Sequence, residues 1–213
     1  MHLNHAPVSA TPAARCDNRS VGVLICNDAG EYLMVERAVF PVGIAPVAGH
    51  IDEHGGPAEA ARAEVFEEVG LTVTELTSVL SAWWSNRCGR ELGPDGGGHD
   101  WHIFRAQVTG ELAPSPHETR GARWYTVEQL QELTDRTIDY AAGHLAEEEF
   151  AAAPGLEATW VHWLAELGVV DIDLTGLLQV ASLSTHGCVI APSESPIGCE
   201  PDPWQILPGG RFD

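Results

Sequence analysis

The sequence contains no lysine. Its eleven basic residues are all arginines, and they are set against 31 acidic residues in a chain of 213, so the formal net charge is −20 at pH 7. A surface of this sign repels the phosphate backbone of nucleic acids and anionic membrane surfaces. The composition therefore argues against a nucleic-acid partner and against a membrane partner.

Arginine's planar fork suits bidentate phosphate recognition. A general compositional preference for arginine would also explain the missing lysine, so the clustering of the arginines is more informative than the absence. Five of the eleven lie in one short part of the chain: Arg87, Arg90, Arg105, Arg120 and Arg123.

Cysteine is scarce and irregularly placed. There are five, an odd number without the close spacing of a disulfide framework: Cys16, Cys26, Cys88, Cys188 and Cys199. The polar N-terminal segment lacks the apolar stretch of a secretion signal, and no apolar run approaches the length of a membrane span. These absences predict a reduced, cytoplasmic protein.

The chain divides into three parts. Residues 1–18 show no sustained periodicity and predict a flexible N-terminal arm. Residues 19–168 predict one domain in which strand-like runs alternate with a bracketed helix between Pro57 and Gly70 and are followed by helical patterns from residue 127 onward. Residues 169–213 predict a C-terminal extension, packed on the domain or at a homodimer contact.

The predicted helix carries three glutamates on one face. Glu64, Glu67 and Glu68 stand at i, i+3 and i+4, so their side chains lie side by side. Like charges at this spacing cost a helix a few tenths of a kcal/mol per pair, a cost that a shared divalent cation removes. Oxygen-only ligands favour Mg²⁺, with Mn²⁺ as the alternative.

Gly49, followed at fixed offsets by Glu64-Val65-x-Glu67-Glu68-x-Gly70-Leu71, resembles the Nudix box. That motif is a glycine, five residues, a glutamate, seven residues and then Arg-Glu-apolar-x-Glu-Glu-x-Gly-apolar. The resemblance covers residues 21–133 and includes Glu118 and the pair Arg123-Trp124. It implies an α/β/α sandwich with a mixed β-sheet, here with a helical C-terminal extension.

The resemblance also implies an activity. The expected reaction is Mg²⁺-dependent hydrolysis of a phosphoanhydride bond in a nucleoside-diphosphate-linked compound or a nucleoside triphosphate, releasing a nucleoside monophosphate. Metal ligands and catalytic carboxylates would come from Glu64, Glu67, Glu68 and Glu118, with the Gly49 carbonyl as a further ligand. A solvated loop glutamate is the equal alternative for Glu118.

Two box positions depart from the pattern. Gly55 stands where the family has its first glutamate, and Ala63 where it has arginine. Arg62 is one residue early, about 100° around the helix, and so does not replace the arginine. These losses predict a slower enzyme or, alternatively, a module that binds a nucleotide metabolite without cleaving it. Nearby acids that could supply the missing charge are Asp52, Glu53 and Glu59.

Six residues are candidates for substrate binding. Three are arginines expected to meet phosphates or a sugar acid, namely Arg37, Arg87 and Arg90. Three are tryptophans that either stack on a nucleobase or belong to the core, namely Trp83, Trp84 and Trp101.

Transition-metal sites receive little support from spacing. His99 and His102 are three apart and would not face the same side of a strand, which argues against zinc there. The tail residues His186, Cys188 and Cys199 also lack the close pairs of structural zinc motifs.

Overall fold

The computed structural model describes residues 15–38 and 40–185. The N-terminal arm expected over residues 1–18 therefore lies largely outside the described residues, as does the tail group of His186, Cys188 and Cys199. Within the described part, Cys16 and Asn18 are buried at 3% and 2% exposure. The last residues of the expected arm thus belong to the packed fold.

Within residues 15–38 and 40–185, seven strands form two sheets. The larger is mixed, with the order β4-β1-β6-β5, in which β1 runs parallel to β6 and the other neighbours are antiparallel. The smaller is antiparallel, with the order β3-β2-β7. The strands are β1 Arg19–Ile25, β2 Tyr32–Arg37, β3 Ile44–Ala45, β4 Val47–His50, β5 Thr72–Trp84, β6 His99–Thr109 and β7 Thr119–Tyr125.

In the same described residues, five helices accompany the strands: α1 Pro57–Val69, α2 Val127–Ala141, α3 Glu147–Ala152, α4 Ala158–Glu166 and α5 Leu174–Ser184. The Glu157 side chain caps α4 by accepting from the Thr159 N–H. No helix of the described segments is long and apolar enough to cross a membrane.

The helices cover the sheets from two sides. Strand β1 alternates, so that Val21 and Val23 pack with α1 while Leu24 packs with α2, α4 and α5. Gly22 leaves room for the Trp160 indole, which a Cβ there would overlap. This arrangement confirms the α/β/α fold with a mixed sheet and a helical C-terminal part.

Candidate metal-dependent active site

Helix α1 presents its glutamates because both of its ends are fixed. Pro57 begins the helix, and Gly70 ends it in the left-handed region at φ 72°, with its N–H donating to the Phe66 carbonyl. Ala61 and Val65 are fully buried on the adjoining face. The helix is therefore anchored by its apolar stripe while its acidic face turns toward β4.

Glu64 and Glu68 form the buried part of this acidic face. The Glu64 carboxylate lies directly against Gly49 of β4, where any Cβ would overlap it. Glu68 is only 6% exposed, and its buried Oε2 has no hydrogen-bond partner. Burial raises the pKa of Glu64 to about 7 and that of Glu68 to about 8, and the negative charge of Glu118 adds to both.

Glu67 and Glu118 are exposed members of the same group. The loop before β7 is tied to the end of α1, because the Ala113 and Ser115 N–H groups donate to the carbonyls of Val69 and Glu68. This places the charge of Glu118 close enough to act on both buried carboxylates. The charge of Glu67 acts on Glu64.

These glutamates suit a divalent cation although their oxygens are not gathered in advance. In the described part of the chain they do not form a compact set of three or more ligand atoms. The Glu68 Oε2 has no hydrogen-bond partner, and because burial raises the pKa of both carboxyl groups, a nearby cation would favour their ionised form. Mg²⁺ commonly completes its shell with water and substrate phosphates, so an open set fits such an ion.

A cleft of about 80 Å³ begins beside Gly49. Arg37 borders it at the end of β2 and is held by donation from its Nε to the Pro41 carbonyl at 2.9 Å. Its positive charge lowers the pKa of both Glu64 and Glu68, against the larger effect of burial. Arg37 therefore lies between the acidic face and the cleft.

The structure places only some of the expected substrate-binding residues at the cleft. Arg37, Arg87 and Trp101 line the cleft, and the Arg87 guanidinium lies over the Phe40 ring, 4.9 Å from its centroid. Arg90 lies outside the cleft lining and instead forms a bidentate ion pair with Asp52, at 2.6 and 2.8 Å.

Two of the three tryptophans also lie away from the cleft. Trp84 stacks on His162 with ring centroids 3.5 Å apart and packs against the core. Trp83 borders a surface depression with three aspartates, a setting that repels phosphate. The core explanation therefore fits Trp84, whereas Trp101 serves both the core and the cleft.

The two departures from the motif have no local replacement. Gly55 is exposed at φ 95° with no heavy atom near its would-be Cβ. Arg62 donates to the Val73 carbonyl of β5 and so points away from the glutamates. Among the acids expected to supply the missing charge, Asp52 acts on the acidic face, because its negative charge helps to raise the pKa of Glu64.

Glu157 was not singled out from the sequence. It is 5% exposed, lines the cleft and accepts from both the N–H and the hydroxyl of Thr159. Burial raises its pKa, against a smaller lowering by Arg37. In the sequence, a glutamate directly before a helical Ala-Thr-Trp run indicates only the cap of a helix, which is why Glu157 was missed.

A second missed group lies in the wall of the cleft: Cys16, His50, Cys88 and His99 bring their ligand atoms within 4.8 Å of one another, and three of the four line the cleft itself. His102, in contrast, bonds to Ser81 and Asp100 on the surface. The sequence argument against zinc concerned His99 together with His102, and it missed this group because the partners of His99 come from other strands and loops.

A sheet between helices, with carboxylates facing an arginine-lined cleft, defines a class of metal-using α/β proteins. Residues 17–144 match the model of the NUDIX domain. The chain belongs to the Nudix hydrolase family, whose members generally use divalent metal ions.

Two curated relatives act on RNA by name. The RNA pyrophosphohydrolase of Bartonella henselae is 30% identical over 143 residues, covering 57% of this chain and 82% of the relative. The NAD-capped RNA hydrolase ndx-9 of Caenorhabditis elegans is 28% identical over 118 residues, covering 54% of this chain but 30% of the relative. This chain thus spans under a third of the second relative.

Solved structures of similar fold include a NUDIX hydrolase from Nitrosomonas europaea, with 20% identity, a TM-score of 0.44 and coverage of 65% of this chain and 91% of that one. The MutT NUDIX hydrolase from Burkholderia pseudomallei is 18% identical, with a TM-score of 0.44 and coverage of 56% and 86%.

Proposed function

We propose that this protein hydrolyses a phosphoanhydride bond in a small nucleotide, either a nucleoside-diphosphate-linked compound or a nucleoside triphosphate, in a Mg²⁺-dependent reaction that releases a nucleoside monophosphate. One observation carries the proposal: the buried Glu68 carboxylate, whose Oε2 has no hydrogen-bond partner, lies on the same helix face as Glu64, which contacts Gly49 beside an arginine-lined cleft. Mn²⁺ is the alternative ion, since it accepts the same oxygen ligands.

The carboxylates divide by exposure. The buried Glu64 and Glu68 and the Gly49 carbonyl are the proposed inner ligands, while the exposed Glu67 and Glu118 complete the set or accept the proton of the attacking water. The bound cation supplies charge neutralisation at the phosphates and a polarised water. Arg37 adds fixed positive charge on the cleft side.

The lining of the cleft, rather than its size, supports a nucleotide substrate. Its volume of about 80 Å³ is below the roughly 300–1,000 Å³ typical of small-molecule sites, so it encloses only part of a nucleotide. Arg37 and Arg87 are the proposed phosphate contacts, and Phe40, 44% exposed, offers a ring face at the edge of the cleft. Trp101 forms part of its wall.

A small nucleotide is favoured over RNA by charge. The relatives named above act on RNA, but a net charge of −20 opposes binding of a polyanion. The proposed partner is therefore a nucleotide-type small molecule rather than a nucleic acid. Homodimerisation through the C-terminal extension stays a prediction.

A substrate panel tests the proposal. Purified protein with Mg²⁺ or Mn²⁺ is incubated with nucleoside triphosphates, nucleotide sugars, dinucleotides and a 5′-triphosphorylated RNA, and the products are identified by mass spectrometry. We expect release of a nucleoside monophosphate from a small substrate and loss of about 10²-fold or more in Glu68→Gln. Glu75→Gln, an exposed glutamate on β5, is the matched control. Equal turnover in Glu68→Gln would refute the assignment.

Gly55 and Ala63 favour a second candidate, a module that binds a nucleotide without cleaving it. Calorimetry on the same panel separates the two functions. Tight binding with intact ligand recovered after long incubation with Mg²⁺ would support the binding module, whereas product formation would exclude it.

A further inference from the structure

Four distant segments converge in the wall of the cleft, which His50, Cys88 and His99 help to line. Cys16 precedes β1, His50 ends β4, Cys88 lies in the loop after β5, and His99 begins β6. Strand β1 brings the two histidines together, because Ser20 pairs with His50 on one side and Trp101 on the other. The N–H of Cys16 donates to the Glu91 carbonyl at 2.9 Å, which holds Cys16 against the loop of Cys88.

Four of the six separations between ligand atoms are close to those of a tetrahedral zinc site, and all six are within 4.8 Å. The Cys16 Sγ lies 3.4 Å from the His50 Nε2 and 3.1 Å from the His99 Nε2, and the Cys88 Sγ lies 3.4 Å from the His50 Nε2. The two Nε2 atoms are 3.3 Å apart. A tetrahedral zinc with Zn–S of about 2.3 Å and Zn–N of about 2.0 Å separates its ligand atoms by about 3.3–3.8 Å.

The tautomer of His99 is fixed by its neighbour. The Asn86 Oδ1 accepts from the indole N–H of Trp101 at 3.2 Å, which identifies that atom as the oxygen, since an indole nitrogen only donates. The same oxygen lies 2.9 Å from the His99 Nδ1, so Nδ1 carries the proton. The Nε2 lone pair therefore points into the cluster, and an amide oxygen orients the ring as in typical metal-binding histidines.

Both sulfurs accept backbone N–H groups from two residues onward. The Asn18 N–H donates to the Cys16 Sγ, and the Arg90 N–H donates to the Cys88 Sγ, each at 3.3 Å. The repeated arrangement fixes the orientation of both sulfurs toward the histidine nitrogens.

We propose that Cys16, His50, Cys88 and His99 bind one Zn²⁺ in a closed structural site. Binding displaces the two thiol protons to water, and the two thiolates then balance the charge of the ion. All four positions are filled by protein, so the ion has no open position for catalysis. This site is separate from the glutamates of α1 and does not depend on the proposed hydrolysis.

The ion would join the segment before β1, the end of β4 and the loop between β5 and β6. Gly49 and Arg87, both lining the cleft, directly adjoin ligands His50 and Cys88 in sequence. The zinc site thereby holds one wall of the cleft in place. Its loss is expected to loosen residues 85–98 and the segment before β1 while leaving α1 in place.

Metal analysis of the full chain tests the proposal. The protein is expressed in zinc-supplemented medium, purified without metal-affinity resin and analysed by elemental mass spectrometry. We expect about one zinc per chain and its loss in Cys16→Ser and Cys88→Ser. Cys26→Ser, at an exposed cysteine outside the cluster, is the matched control and should retain zinc, as should Cys188→Ser/Cys199→Ser. Unchanged zinc in Cys16→Ser would overturn the proposal.

A second measurement uses the unmodified chain, since the serine variants could fail to fold. Zinc is removed with a chelator under reducing conditions, and Co²⁺ is added in its place. We expect the intense visible bands of tetrahedral Co²⁺ with thiolate ligands, abolished by stoichiometric Zn²⁺. A chain without transition metal that gives no such spectrum, or one isolated with a Cys16–Cys88 disulfide and no metal, would contradict the site.

Discussion

The acidic face of α1 and the cysteine–histidine cluster adjoin the same cleft but differ in physical character. Glu64 and Glu68 have strongly raised pKa values, and their oxygens are not gathered into a compact set. The cluster combines two thiols with two imidazoles, and four of its six ligand-atom separations lie between 3.1 and 3.4 Å. An open oxygen site suits a metal shared with substrate, whereas a closed sulfur–nitrogen site suits a permanent structural metal.

Replacing one carboxylate of the acidic face should give the largest effect, and it should act on activity without acting on the cluster. In Glu64→Gln we expect turnover to fall by about 10²-fold or more, because a metal ligand beside Gly49 is lost. Zinc content should not change. Initial rates and elemental analysis on the same samples provide the check, and a variant that lost zinc together with activity would show that the two sites are not separate.

Replacing one cysteine of the cluster should have the opposite effect, with zinc lost and the glutamates left in place. In Cys88→Ser we expect loss of zinc and a fall in Tm of about 6–12 °C, the shift that corresponds to roughly 3 kcal/mol in a chain of this size. The KM should rise more than kcat falls, since Arg87 is displaced while the glutamates stay. Calorimetry and steady-state kinetics against Cys26→Ser measure both effects. A large loss of kcat with unchanged KM would count against the assigned role.

The acidic face also predicts a pH dependence for the Mg²⁺-free protein. Folding raises the pKa of Glu68 from 4.5 to about 8. The stability linked to its proton is therefore fully present below about pH 4.5 and lost as the pH rises through about 8, on the order of a few kcal/mol. Denaturant melts across this range should show the decline, and added Mg²⁺ should oppose it. Glu68→Gln should flatten the profile; an unchanged profile would disprove the cause.

Restoring the missing arginine should give the smallest effect. In Ala63→Arg we expect kcat to rise several-fold, by about 1 kcal/mol or less, because a guanidinium beside Glu64 would orient the glutamates. Arg62→Ala should leave kcat near its original value, since Arg62 bonds to the Val73 carbonyl. Steady-state rates with the best panel substrate test this prediction. A lower kcat in Ala63→Arg would mean that another residue already orients the glutamates.

A region can be predicted from the sequence when the residues that indicate it lie close together in the chain. Pro57, Gly70 and the spacing of Glu64, Glu67 and Glu68 all fall within one helix, so the helix and its acidic face could be read directly. The cluster could not, because 34 positions separate Cys16 from His50 and 38 separate His50 from Cys88. Only the pairing of β1 with β4 and β6 brings them together.

Other features could not be predicted from the sequence, for related reasons. Trp84 and Trp101 look alike in sequence, and only tertiary packing places Trp84 on His162 and Trp101 beside the cleft. Helix α5 was covered only by the general expectation of a helical extension. Its Leu174 and Leu178 are exposed, so its apolar residues do not follow a clean buried stripe.

Anomalous diffraction from one crystal grown with zinc and soaked in Mn²⁺ tests the two-site account most directly. Data on either side of the zinc and manganese absorption edges locate each element independently. The account predicts a zinc peak bounded by Cys16, His50, Cys88 and His99, and a separate manganese peak beside Glu64 and Glu68. Zinc found among the glutamates, or no zinc peak within the cysteine–histidine cluster, would contradict it.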